Sequence, residues 1–343
     1  MQSPLVSILT PMYNTEKYVH RLLDSVLAQD YPAIEMVVID DGSTDGSRAV
    51  VERYVDRFAA KGFTLRCFHQ PHAGQSVAVK NGLQRVTGEY LAWPDSDDFY
   101  TTADAISKMV RVLASSSPEF QLVRTQARYV RDPSLELLRI EGLDAHAEED
   151  PSLFEDCLFA QGGYYYCAGS YLVRTAVQKD LTGFDLYTEK NAGQNCQILV
   201  PILYRYRCKT ILEPLFTVVE RTASHSRGQY SGYARDVVKK EAYLRTQMAT
   251  LERIKDIPEE KRASYLKRLQ ALSDRRMLDM AIHLNHRADA LEWLRRCKDE
   301  LGKAEYRTKL FCLHLPGGTR LLNAYKDIHH RLYLLKKSLK KRM

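Results

Sequence analysis

No apolar run in this 343-residue chain approaches the roughly 20 residues that cross a bilayer, which excludes a membrane-spanning helix. The N-terminus, Met-Gln-Ser-Pro, has no basic stretch followed by an apolar one, so no secretory signal is expected. Cysteine is present seven times, an odd number without close pairing, C-x-x-C or Cys/His zinc spacing. That argues against a disulfide scaffold or zinc finger, and for reduced thiols in a cytoplasmic protein. With only 12 Pro and 17 Gly and no internal repeat, the chain is neither collagen-like nor low-complexity. What is present, 45% hydrophobic and 27% charged residues, suits about two folded domains.

Charge is unevenly placed. The formal net charge is +7, but residues 1–226 hold 22 Lys/Arg against 29 Asp/Glu, and residues 227–343 hold 28 against 14. An acidic front therefore joins a basic back. The last 24 residues alone carry 8 Lys/Arg and one acid, Asp327.

The front reads as alternating strands and helices. Leu5–Thr10 is a short apolar run, and Val19, Leu22, Leu23, Val26 and Leu27 then fall on one helical face. Glu35–Asp40 is a second strand; a helix carrying Val50, Val51, Tyr54, Val55 and Phe58 follows. A third strand is expected over 64–69, a third helix over 76–86 and a fourth strand over 90–93. This alternation predicts a mainly parallel sheet with helices on both faces, whose ligands sit at the strands' carboxyl ends. Polar clusters stand at those ends: Thr10–Asn14, Asp40–Asp45 and Asp95–Asp98. Beyond about residue 230 helices dominate, over 234–254, 259–285, 288–301 and 319–340.

Asp40–Asp45 (DDGSTD) ends a strand and opens a helix, so it reads equally as a tight turn with a helix cap or as a carboxylate pair receiving a base N–H or ribose hydroxyl. Asp95-Ser96-Asp97-Asp98 is sharper. Three carboxylates within four residues repel one another unless a cation sits among them, and divalent ions bind nucleotides through one or two carboxylates plus phosphate oxygens. A solvated acidic turn is the ordinary alternative. Against it, Trp93-Pro94 delivers the cluster directly from an apolar strand.

Together, VSILTPMYN (6–14), SVLAQDYP (25–32), VIDDGSTD (38–45), GQSVAVKNG (74–82), TGEY (87–90) and DSDD (95–98) resemble the family 2 glycosyltransferases in order and spacing. The resemblance covers residues 5 to about 115. It implies a GT-A fold, a nucleotide-sugar donor, most often a UDP-sugar, Mn²⁺ or Mg²⁺, and transfer with inversion. It also implies that Pro11, Tyr13, Asn14, Asp40, Asp41, Ser43 and Ser96 line the donor nucleotide, with Asp41 or Asp40 on the uracil. Lys80 would stand where the family has an Arg facing the diphosphate, Asp95 and Asp97 would form the D-x-D pair, with Asp97 the direct metal ligand, and His72 replaces a common Asn.

The family's catalytic base is the Asp of a Glu-Asp pair opening a later helix. Here Gln194-Asn195 stands in the matching segment, and amides are not bases near pH 7. Glu189 is the first replacement base and Asp185 the second, while Gln194, Asn195 and Tyr165 are acceptor-side candidates. Arg221–Arg227 (RTASHSR) resembles a loop folding over donor phosphates. It offers Arg221 and Arg227 to phosphate and His225 to the metal, and reads equally as a basic linker.

The basic back lacks a zinc finger, helix-turn-helix or RNA-recognition signature, so no nucleic acid partner is expected. Leu321, Tyr325, Ile328, Leu332, Leu335 and Leu339 form a narrow seam beside Lys336, Lys337, Lys340, Lys341 and Arg342. This suits an anionic membrane surface, helix packing or a homodimer.

The expectation is a GT-A α/β domain over 1–228 and a basic helical domain over 229–343. The protein is expected to be a peripheral enzyme on the cytoplasmic face of the membrane. It would transfer a sugar from a nucleoside diphosphate to a glycan or lipid-linked acceptor of a bacterial surface polysaccharide. The alternatives are a sugar-phosphate nucleotidyltransferase and a non-catalytic glycan- or membrane-binding module.

Overall fold

The computed structural model describes residues 3–142, 153–161, 166–221, 232–326 and 328. In chain order its strands are β1 (Val6–Met12), β2 (Ile34–Asp40), β3 (Thr64–His69), β4 (Tyr90–Ala92), β5 (Phe99–Tyr100), β6 (Phe120–Arg131), β7 (Glu136–Glu141), β8 (Tyr171–Arg174) and β9 (Arg207–Glu220). Its helices are α1 (Val19–Leu27), α2 (Ser47–Glu52), α3 (Val55–Ala60), α4 (Gln75–Leu83), α5 (Ala105–Ala114), α6 (Leu153–Phe159), α7 (Thr175–Thr182), α8 (Asn195–Arg205), α9 (Tyr233–Arg253), α10 (Glu259–His283), α11 (Arg287–Arg296) and α12 (Lys303–His314).

β1 and β2 are buried along their whole length, as the apolar runs require of a strand covered on both faces. They anchor one mixed sheet, β3-β2-β1-β4-β8-β6-β9-β5, with β7 added to β6. The pairs β3/β2, β2/β1 and β1/β4 are parallel. Beyond β4 the sheet turns antiparallel through β8, and β6 then pairs β9 in parallel over most of its length. This is the mixed α/β sheet of the GT-A class expected from the sequence. α4 packs onto β1 because Gly82 has no side chain: a Cβ there would lie 2.2 Å from Leu9 Cδ1.

A buried polar knot aligns the first strands. Glu35, 4% exposed, accepts from Ser7 Oγ at 2.5 Å, Thr87 N at 2.5 Å, Gly88 N at 3.2 Å and Arg66 Nη2 at 2.6 Å. Burial pushes this carboxyl up, but the hydrogen bonds from Ser7, Thr87 and Arg66 prevail and hold it below the ordinary glutamate value. The Thr87-Gly88 portion of the TGEY motif is thus an architectural clamp on β2.

Several helix bounds differ from expectation, among them the helix expected over 288–301, which ends at Arg296, and the one over 76–86, which ends at Leu83. The helix expected from Val50 to Phe58 is split into α2 and α3, because the bond from Tyr54 N to Val51 O tightens the turn between them. α10 ends at His283 rather than 285, and Asn285, at φ 61, makes the left-handed stop.

The chain divides into two compact units, Met1–Gln229 with Arg245–Ile257, and Tyr230–Leu244 with Pro258–Met343. The division falls inside α9. The first unit holds the sheet. The second is helical, with a core of Met277, Leu278, Ala281, Trp293, Leu294 and Leu313. Residues 318–326 are helical and leave Leu321 and Tyr325 exposed. Among the described residues no helix is long and apolar enough to cross a membrane. Tyr165, His225, Arg227 and the tail beyond 328 lie outside the described residues.

Candidate active site

The site forms where β1, β2 and β4 end, around the loop Gln70–Ser76. Pro11 is buried in β1 opposite Ile39, and the chain then turns at Asn14, which sits at φ 51. Asn14 is held there from two sides: its N–H donates to Ser43 Oγ at 3.0 Å, and its Oδ1 accepts from Thr44 N at 2.8 Å. This leaves Tyr13 at the surface, stacked on His72 with ring centroids 4.1 Å apart.

Both aspartates after β2 are buried and engaged. Asp40 Oδ1 accepts from Ser43 N at 3.0 Å, and its Oδ2 lies 3.0 Å from His69 Nδ1. Asp41 carries more. Its Oδ1 accepts from Gln70 Nε2 at 2.7 Å and Ala73 N at 2.9 Å, while Oδ2 accepts from Gly74 N at 2.8 Å and lies 2.9 Å from His72 Nδ1. Four neighbours fill the roughly four acceptor positions of a carboxylate. Asp41 therefore organises the 70–76 loop, and Asp40 is the member of the pair with acceptor capacity left for a base or ribose. Asp45 is also structural: it accepts from Ser47 N at 3.0 Å and Glu16 N at 3.1 Å, fastening the start of α2 to the chain after β1.

The same loop reaches the acidic cluster. Gln75 Nε2 donates to Asp95 Oδ1 at 2.6 Å. Asp98 is buried and accepts from Val219 N at 2.9 Å, which fixes the cluster to β9, and Ser96 is buried between them in sequence. Asp97 pairs with Arg221, whose guanidinium also lies 4.5 Å from the Tyr18 ring centroid. Asp95 and Asp97 thus offer hard oxygen atoms, and no group of three or more His, Cys, Asp or Glu residues gathers for a metal among the described residues. That set fits a hard divalent cation bound weakly by the two carboxylates and completed by donor phosphate oxygens.

A third segment, 185–195, closes against α4. Gly74, at φ 100, lets the loop turn beneath it, and a Cβ there would touch Lys190 O at 3.4 Å. Ser76 Oγ accepts from Glu189 N at 3.0 Å and donates to Glu189 O at 3.1 Å. The Glu189 carboxylate, 15% exposed, accepts from Arg245 Nε at 3.0 Å. Lys80 pairs with the largely exposed Asp185 and holds its carboxyl below the usual aspartate value. Asn195 Oδ1 accepts from Trp93 Nε1 at 2.8 Å, tying α8 to the end of β4. Gln194 is 1% exposed, and among the described residues neither of its side-chain polar atoms has a partner.

One loop therefore brings together Asp40, Asp41, Asp95 and the backbone of Glu189, and α4 adds Lys80. Gln70, Gln75 and Ser76 do this joining, yet the sequence reading did not single them out as site residues. Gln75 and Ser76 stand inside the GQSVAVKNG motif, so their position was visible. Arg245, 56 residues from Glu189, left no local signal.

Residues 7–165 match the family model described as glycosyl transferase family 2. Over those residues, a little under half of the chain, it is similar to the family 2 glycosyl transferases. It is similar to TuaG of Bacillus subtilis (strain 168), named for teichuronic acid biosynthesis, with 34% identity over 117 residues, covering 34% of this chain and 45% of TuaG. The chain spans less than half the length of the curated relatives it matches. Its fold is similar to that of S. aureus TarS 1–349 in complex with UDP-GlcNAc, at TM-score 0.57 and 18% identity, covering 84% of this chain and 79% of that one. It is also similar to the mannosyltransferase PcManGT from Pyrobaculum calidifontis in complex with GDP-Man and Mn²⁺, at TM-score 0.53 and 18% identity, covering 94% and 84%. The matched segment thus includes the Asp40–Asp41 pair, the 70–76 loop and the D-x-D cluster.

Proposed function

We propose that the protein transfers a sugar from a UDP-sugar, with inversion, to a glycan or lipid-linked hydroxyl during synthesis of a bacterial surface polysaccharide. The observation that carries this reading is the convergence on one loop of Asp40, Asp95 of the D-x-D pair and the Glu189 segment, with Lys80 on the following helix. The UDP-GlcNAc of TarS and the GDP-Man and Mn²⁺ of PcManGT support a nucleotide-sugar donor and a divalent cation, and TuaG's name supports a cell-surface product.

In this reading Tyr13 and Asp40 receive the nucleoside, and Lys80 faces the diphosphate. Asp97 and Asp95 would hold Mn²⁺ or Mg²⁺, which would supply charge neutralisation for the leaving diphosphate. Arg221, released from Asp97, turns its guanidinium to phosphate oxygens. Glu189 accepts the acceptor hydroxyl's proton, its carboxylate oriented by Arg245 and its backbone fixed by Ser76. Asp185 is the second candidate, but its pairing to Lys80 favours a role on the donor side. Gln194 and Asn195 face the acceptor as amides. The helical unit, with exposed Leu321, Tyr325 and Ile328 and a basic tail, docks the enzyme on the anionic inner face of the membrane.

Thermal denaturation of the purified chain with Mn²⁺ and a panel of UDP-, GDP- and dTDP-sugars tests the donor reading. Stabilisation by the uridine nucleotides with slow donor hydrolysis is expected. Absence of stabilisation by any nucleotide with either metal overturns it.

A further inference from the structure

A cavity of about 470 Å³ lies beside the 185–195 segment, and of the residues placed on the donor side only Asp185 lines it. It is bounded by the end of α7, by α8 and by the last turns of α9, all within the first compact unit. We propose that this cavity binds a neutral disaccharide portion of the acceptor, two sugar rings behind the hydroxyl that is glycosylated. The proposal rests on the glycosyl-transfer reading above and names the chemistry of its acceptor.

Four observations carry it. The volume lies in the roughly 300–1,000 Å³ range of small-ligand sites. The wall is charged but balanced: Asp180, Asp185 and Asp256 face Arg205, Arg253 and Lys255. Arg205 and Asp256 also pair with each other. A balanced wall gives a polyphosphate or polyanion no net attraction, whereas planar carboxylates, amides and guanidinium groups suit the alternating donors and acceptors of sugar hydroxyls. Tyr187 adds an aromatic surface with the Arg253 guanidinium 5.5 Å from its ring centroid.

The third observation is an unmet acceptor. Gln197 is 2% exposed; its Nε2 donates to Tyr187 O at 3.2 Å and Gly193 O at 2.9 Å, but its Oε1 has no partner among the described residues. With its donor side spent on backbone carbonyls, the side chain is fixed at the cavity wall, and its buried Oε1 would take up a ligand O–H once a neighbouring side chain gives way. Fourth, two successive left-handed residues shape this stretch of the wall, Gly183 at φ 59, which lines the cavity, and Phe184 at φ 61, between the lining residues Gly183 and Asp185. A buried phenylalanine in that conformation is strained, and such strain concentrates at ligand sites. The cavity also touches the proposed chemistry, since Asp185 pairs with Lys80 and the Tyr187 hydroxyl lies 3.5 Å from Glu189 Oε2.

The test is saturation-transfer NMR on the full chain with cellobiose, lactose and N,N′-diacetylchitobiose. An unsaturated hyaluronan disaccharide serves as the anionic control, and all samples contain saturating UDP and Mn²⁺. At least one neutral disaccharide is expected to bind, more tightly than the anionic one, and to weaken tenfold or more in Leu181→Trp, which fills the cavity. Should that variant fail to fold, Arg253→Ala, at an exposed position, is expected to weaken binding about fivefold. No binding by any neutral disaccharide, tighter binding of the anionic one, or unchanged affinity in the folded variants overturns the proposal. Thermal stabilisation by UDP is read on the same samples. If it persists while saccharide binding fails, only the cavity assignment falls; if it is absent, the donor reading falls separately.

Discussion

Asp97 and Arg221 are mutual partners, so each reports on the other. Arg221 places a cation where a divalent ion would bind, and the pair is about four-fifths shielded from water. Removing the guanidinium should therefore favour the ion by the strength of one partly shielded ion pair, about 1 kcal/mol or roughly fivefold in affinity. Mn²⁺ titration of nucleotide-free Arg221→Gln, followed by electron paramagnetic resonance, is expected to show this tightening. Asp97→Asn should abolish the binding. Equal affinity in wild type and Arg221→Gln would show that the two cations do not compete. Glu189 is read differently. Glu189→Gln keeps the Ser76 backbone bonds, so the donor KM should stay within about twofold, while transfer falls by roughly 10²–10⁴, the usual contribution of a positioned base. Asp185→Asn, whose partner is Lys80, should raise donor KM instead. Full transfer activity in Glu189→Gln would move the base elsewhere.

At the scale of elements, the Glu35 knot is where strand alignment meets pH. Its carboxylate accepts from β1, from Arg66 on β3 and from the chain entering β4. Glu35→Gln turns part of that acceptor set into a donor facing donors, at a cost of about 2–4 kcal/mol. The carboxyl's folded value lies below the ordinary 4.5, so the unfolded chain takes up the proton first as pH falls. The stability Glu35 contributes is complete above about pH 4.5 and is lost as pH drops through the folded value. Chemical denaturation between pH 7 and pH 3 should show the wild type losing its advantage over Glu35→Gln toward the acid end. A constant difference across that range would place the stabilisation elsewhere.

These elements also show what the sequence makes legible. β1, β2, α4 and β4 are readable because each combines an apolar run with a polar stop at the same end. The D-x-D cluster is readable because three acids in four residues have few uses. β6 and β9 are not, because these long strands mix buried and exposed positions. The β6/β7 and β6/β9 registers shift at irregularities that break simple alternation. Pairings such as Lys80–Asp185, Glu189–Arg245 and Asp97–Arg221 join residues 56 to 124 positions apart, and no local pattern encodes them. The split of α2 from α3 turns on a single hydrogen bond, finer than periodicity resolves.

At the scale of the whole chain, the +7 is the sum of a front at −7 and a back at +14. An acidic donor domain gains from holding a divalent cation, and a basic helical unit gains from an anionic surface. Phe311, Leu321, Tyr325 and Ile328 are each more than half exposed, although the helical unit has its own core. Apolar side chains of that size would rest in the interfacial layer, while Lys336, Lys337, Lys340, Lys341 and Arg342 would meet lipid headgroups. At about 1 kcal/mol per basic residue near an acidic membrane, these five supply roughly 5 kcal/mol before any apolar insertion. Co-sedimentation with vesicles of 30% phosphatidylglycerol is thus expected to bind the full chain, and vesicles of phosphatidylcholine alone should not. Binding should weaken steeply between 50 and 500 mM salt, because the attraction is screened over a Debye length. Reversing Lys336, Lys337, Lys340 and Lys341 to Glu should abolish it, and Leu321→Ser with Tyr325→Ser should weaken it about tenfold without changing the salt dependence. Retained, salt-insensitive binding in the charge-reversed chain would show that protein packing, not lipid charge, is what the basic half serves.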